Sequence, residues 1–181
     1  MTWYAVLLFA VSLERVLELV VSRKHERAML ARGGEEYGAS HYPVMVMMHT
    51  ALLIGCVVEV LATGRPFLPL LGWSMLVVVA ASQALRWWCI VTLGEQWSTR
   101  VIVSRQVPLV ALGPYRVLRH PNYVAVVAEG AALPLVQSAW VTAVAFTVLN
   151  AALLRLRIRV ENAALQTAPP LSAPVPDARG A

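Results

Sequence analysis

Charge is scarce in this chain. Of its 181 residues only 14% are Asp, Glu, Lys or Arg, against about 25% in a typical soluble domain. A chain that is 59% hydrophobic, with a mean hydropathy of +0.65, lacks the polar surface to cover itself in water. A membrane is the environment that fits. Cysteine is almost absent: Cys56 and Cys89 lie in separate apolar stretches, without disulfide or metal spacing, and read as small buried hydrophobes. The ten glycines are scattered, and neither G-x-G-x-x-G nor G-x-x-x-x-G-K occurs. That excludes a phosphate-cradling loop and a Rossmann-type nucleotide domain. No internal repeat is visible. The first apolar run is expected to be a retained span and not a cleavable secretory signal, because Glu14, Arg15 and Glu18 interrupt it. That run lacks a basic leading region and a small-residue cleavage site as well.

What is present is a set of apolar segments. A membrane span takes about 20 mostly apolar residues, and five segments qualify: Thr2–Val21, Pro43–Ala62, Phe67–Val91, Asn122–Gln137 and Ala139–Leu156. The fourth is short. Only Gln137 and Ser138 separate the last two, so these should form a tight helical hairpin. Arg23, Lys24, Arg27 and Arg32 follow the first span; Arg100, Arg105, Arg116 and Arg119 follow the third; Arg155, Arg157, Arg159 and Arg179 sit at or beyond the end of the fifth. Those twelve of the 15 basic residues fall on one side of a five-span threading. By the positive-inside rule that side is cytoplasmic, with the N-terminus outside and the C-terminus inside. The same distribution argues against reading the net charge of +5 as a nucleic-acid surface. The expected fold is all-α and polytopic: one membrane domain over residues 1–166, then a Pro- and Ala-rich disordered tail over 167–181.

Arg15, Arg86, Glu14, Glu18, Glu59 and Glu129 fall inside the predicted spans. Charges there face the bundle interior or a polar cavity. Arg15 and Glu18 are three apart and can pair, either as a structural ion pair or as part of a cavity lining. Glu59 lies near a span end and can snorkel.

The most polar stretch of this apolar chain is Gly113-Pro114-Tyr115-Arg116-Val117-Leu118-Arg119-His120-Pro121-Asn122-Tyr123, directly before the fourth span. Pro121 suits the first position of a helix, where the following N–H groups are free for an external acceptor. Tyr115 and Tyr123 can stack on a heterocycle, although Tyr, Arg and Pro also serve as interfacial anchors. Arg157 and Glu161 are four apart at the cytoplasmic end of the fifth span and share a helix face. The hairpin returns them to the membrane face that carries His120.

GPYRVLRHPNY followed by Arg157-Ile158-Arg159-Val160-Glu161 resembles the signature of the isoprenylcysteine carboxyl methyltransferases, a pattern shared with phospholipid methyltransferases. The resemblance covers about residues 85–165. It implies S-adenosyl-L-methionine held by Leu109, Val110, Tyr115, His120, Pro121, Tyr123 and Glu161, with Arg157 addressing the substrate. It implies no metal. There are two departures: Asn162 replaces a second acid, and Val107-Pro108 replaces a His-Thr pair that animal members carry. Glu14-Arg15, Arg32-Gly33-Gly34-Glu35, His41-Tyr42-Pro43 and His49 resemble a bacterial branch associated with O-methylation of alkylpyrone lipids. His41 and His49 lack the partners of a metal site and read as interfacial residues or as substrate contacts at a cavity mouth.

The expected function is therefore methyl transfer to an oxygen of a lipophilic acceptor, either a carboxylate of the isoprenylcysteine type or a pyrone or polyketide hydroxyl. The acceptor would be a lipophilic small molecule or a prenylated one, met among membrane lipids. A hydroxyl would need a base, for which Glu129 is a candidate. Two other readings stand: a phospholipid or amine N-methyltransferase, and a non-catalytic transporter or scaffold.

Overall fold

The computed structural model describes residues 2–167. The chain runs α1 (Thr2–Ala31), β1 (Gly34–Tyr37), α2 (His41–Thr63), α3 (Pro69–Leu93), β2 (Val101–Ser104), α4 (Pro121–Leu135) and α5 (Trp140–Leu165). Short 3-10 turns occupy Gly94–Gln96 and Gly113–Arg116. All but the first residue of the tail expected over 167–181 lies outside the described residues.

The five helices coincide with the five apolar segments, but two run further. α1 continues past Val21 to Ala31, and α5 continues past Leu156 to Leu165, carrying Arg157 and Glu161 on regular helix. The polar last turns of both are stabilised by packing beyond the apolar layer, which hydropathy does not register. Three helical segments are long and apolar enough to cross a membrane: His41–Thr63, Pro69–Gln96 and Trp140–Leu165. α1 carries charge in its middle, and α4 has 15 residues.

The all-α expectation misses one element. β1 and β2 pair antiparallel, Gly34 opposite Ser104 and Tyr37 opposite Val101. This ribbon ties the end of α1 to the segment after α3. It is held by Ser104 Oγ donating to the Arg32 carbonyl at 2.8 Å and by Arg100 Nη1 on Glu36 at 2.8 Å.

Successive helices alternate in direction. At one end Tyr4 Oη donates to the Leu133 carbonyl at 3.0 Å, and Glu59 accepts from the N–H groups of Val141 and Thr142 at 3.1 and 2.7 Å. Glu59 thus caps the start of α5, where orphan N–H groups favour a carboxylate, instead of snorkelling. The α4–α5 hairpin turns at Ser138, which adopts φ 59°. Gly130 lets Phe146 of α5 close directly on α4, because any Cβ there would collide with the ring. The main apolar core, including Leu52, Cys56, Leu133 and Phe146, lies toward this end. Cys56 and Cys89 are buried free thiols. The other end gathers the C-termini of α1, α3 and α5, the ribbon, and the start of α4.

Candidate active site

At this second end a cavity of about 550 Å3 opens between the 101–111 segment, the start of α4 and the last turns of α5. Leu109, Val110, Tyr115, His120, Tyr123, Arg157 and Glu161 all line it. Pro121 does not. It is fully buried at the start of α4, where its ring sets the helix entry and brings His120 and Tyr123 to the wall on either side of it.

Three of these side chains form one hydrogen-bonded chain. Arg157 Nε donates to Tyr123 Oη at 2.8 Å, and the Tyr123 hydroxyl donates to Glu161 Oε2. The Arg157 guanidinium also donates to the Thr99 carbonyl and touches Met45 Sδ. Of the five N–H groups on a guanidinium, three are engaged by these contacts, so two remain for an oxygen in the cavity. His120 stacks on Tyr123, with ring centroids 5.4 Å apart. Its Nδ1 lies 3.3 Å from Glu161 Oε1 and its Nε2 3.1 Å from Asn162 Oδ1. Both ring nitrogens therefore face acceptor oxygens, which suits the doubly protonated ring. The hydrogen bond to Glu161 raises His120 above the ordinary histidine value, outweighing desolvation. Burial pushes the Tyr115 phenol well above its ordinary range, so it stays a neutral donor.

Four contributors escaped the sequence reading. Asn162, noted there only as a departure, orients His120. Thr99 holds Arg157 through its carbonyl. Trp97 and Asn122 line the cavity, and their Nε1 and Oδ1 atoms are buried without a hydrogen-bond partner. A buried polar atom left unpaired costs about 1–3 kcal/mol, so both side chains are held at a cost in this wall. The tryptophan after a span was the available signal; nothing in sequence distinguished Thr99.

A second cavity, of about 170 Å3, lies deeper between the helices and is mostly apolar. Trp97, Ser98, Asn122, Tyr123 and Arg157 line both cavities. At its far side are Arg15, Glu18 and Arg86. Arg15 Nη1 meets Glu18 Oε2 at 2.8 Å, as the three-residue spacing predicts, and Arg86 Nε lies 3.5 Å from Glu18 Oε1. Arg86 also donates to Glu129, which lies 3.5 Å from Arg15. With Glu14 3.6 Å from Arg15, the charges expected inside the spans, Glu59 apart, form one five-membered cluster on α1, α3 and α4, both a structural network and a cavity lining. Glu129 faces the guanidinium groups and is not part of either cavity wall, which removes the geometry a base would need.

The sequence profile of the isoprenylcysteine carboxyl methyltransferase (ICMT) family matches residues 74–167, the stretch that supplies nearly all of the larger cavity. An uncharacterized protein of Bacillus subtilis (strain 168), YpbQ, is 36% identical over 167 residues, which span 92% of this chain and 97% of that protein. An uncharacterized protein of Haemophilus influenzae (strain ATCC 51907 / DSM 11121 / KW20 / Rd) is 24% identical over 152 residues, 83% of this chain and 88% of that one.

Proposed function

Since the chain belongs to the isoprenylcysteine carboxyl methyltransferase family of membrane methyltransferases, we propose that it methylates an oxygen of a lipophilic acceptor, using S-adenosylmethionine. One observation carries this reading: a cavity of mixed polar and apolar lining at the helix ends and a mostly apolar cavity between the helices share a wall at Tyr123 and Arg157. A water-soluble donor and a lipid acceptor can each enter from its own phase and meet there.

The larger cavity lies within the range of about 300–1,000 Å3 typical of small-molecule sites, and its lining of Tyr115, His120, Glu161 and Asn162 suits a ligand rich in donors and acceptors. S-adenosylmethionine, bound there, supplies a methyl group on a sulfonium. Leu109, Val110 and Tyr115 form the apolar and aromatic side of its site, while His120, Tyr123 and Glu161 form the polar side, Pro121 acting through the backbone it shapes. Arg157 draws the acceptor oxygen to the shared wall through its two free N–H groups. Alignment of the reactants in a water-excluding wall supplies most of the rate. A guanidinium at the reacting end repels a protonated amine, which disfavours the N-methyltransferase reading, and a transport path has no use for a cofactor-sized cavity confined to one end of the helices.

In this reading α1 and α4 cross the membrane with the other three helices. Arg23, Lys24, Arg27, Arg100, Arg116, Arg119 and Arg159 then share the face that opens the larger cavity, which makes it cytoplasmic and leaves the N-terminus outside.

The test is calorimetric titration of the purified protein in detergent with S-adenosylhomocysteine, followed by transfer of labelled methyl into a lipid extract and mass identification of the product. Binding together with a methylated lipid is expected; absence of binding would falsify the proposal.

A further inference from the structure

The second cavity holds one more chemically active group. His49, on α2, lines it together with Arg157 and Tyr123. Its Nδ1 lies 2.8 Å from the Met45 carbonyl, and a carbonyl can only accept, so Nδ1 carries the hydrogen. The neutral ring then presents a lone pair at Nε2, which has no hydrogen-bond partner among the described residues. The charged and titratable groups around it are Arg15 and Glu18 of α1, Arg86 of α3, Glu129 and Tyr123 of α4 and Arg157 of α5. Each of the acids is already ion-paired. Glu18 is balanced by Arg15 and Arg86, and Glu129 by the same two guanidiniums. Tyr123 is committed to Glu161.

The cavity's size narrows the acceptor. About 170 Å3 is close to the ~150 Å3 apolar cavity that accommodates one benzene ring. Resting on the methyltransferase reading above, with a hydroxyl as the acceptor oxygen, we propose that His49 is the general base for its methylation. The new C–O bond forms as the C–S bond breaks and the sulfonium becomes a neutral thioether. The hydroxyl proton passes to His49 Nε2 and leaves to water when the product departs. A carboxylate acceptor, already ionised near neutral pH, would not need this step.

Two measurements test it, with a long-chain alkylphenol and a long-chain fatty acid as acceptors. In His49→Ala, the ratio of phenol to carboxylate methylation should fall about 100-fold or more, and free imidazole in the medium should restore part of it. His49→Gln, which keeps the volume but not the basicity, should show the same fall without rescue. Independently, adding the alkylphenol to the cofactor-free protein should move the His49 Nε2 resonance of histidine labelled with a nitrogen isotope. An unchanged ratio, or an unmoved resonance, overturns the assignment. Failure of the unaltered protein to bind S-adenosylhomocysteine instead overturns the methyltransferase reading, and the resonance shift then still reports on the cavity alone.

Discussion

Tyr123 and Arg157 sit 34 positions apart in the chain, yet the guanidinium Nε of one donates to the phenolic oxygen of the other over 2.8 Å. Tyr123 passes that hydrogen bond on to Glu161. The side chain proposed to hold the acceptor and the one proposed to hold the donor are therefore joined through a single hydroxyl, in the wall between two cavities. A shift of either partner is felt by the other, and rigid placement of this kind is what in-line transfer requires.

Glu161→Ala should weaken S-adenosylhomocysteine binding at least about tenfold, since hydrogen bonds to a charged group contribute about 1.5–3 kcal/mol. Isothermal titration reads this directly, and undiminished affinity would remove Glu161 from the cofactor site.

Arg157→Ala should leave that affinity within a few fold and lower turnover by about 100-fold, because the loss falls on the acceptor oxygen. Arg157→Lys should rescue little, as an ammonium cannot reproduce the planar fork that spans Tyr123, Met45 and Thr99. Equal loss of binding and turnover would mean that Arg157 serves the cofactor.

His120 gives a pH dependence with a definite sign. Glu161 raises its folded-state value above the ordinary 6.5, so the stability it contributes is complete below about 6.5 and disappears as pH rises through the raised value. Thermal unfolding of the cofactor-free protein in detergent should show a melting temperature that declines above neutrality. His120→Gln should flatten the decline.

Arg86→Met should destabilise the fold by up to about 3–5 kcal/mol, because it leaves two buried carboxylates, Glu129 and Glu18, to share Arg15. Adding Glu129→Gln should recover part of the loss. Denaturant midpoints in detergent decide between this coupling and two independent effects.

Gly130→Ala should cost about 1–3 kcal/mol by forcing Phe146 off the hairpin contact, and a smaller residue at 146 should soften it. A neutral Gly130→Ala would show that the ring has room to turn away.

Hydropathy alone made the five helices and the tight α4–α5 turn legible, because an apolar layer requires long runs whose backbone groups are satisfied within each segment. The helical ends of α1 and α5 were less so, since their polar turns are held by neighbours. The β1–β2 ribbon was invisible: four-residue strands such as Gly34–Tyr37 carry too little pattern to signal pairing across more than sixty residues.

The site divides in the same way. The run from Gly113 to Tyr123 and the Arg157/Glu161 pair announce themselves in sequence, because polar residues clustered at the edge of an apolar segment have few structural reasons to be there. That Thr99 anchors Arg157, that Glu129 is spent on Arg15 and Arg86, and that His49 faces the wall shared with Tyr123 were decided only by the packed helices. Sequence spacing fixes which residues share one helix face, but which faces meet depends on the rotation and closeness of neighbouring helices, and those are set by side chains such as Phe146 closing on Gly130.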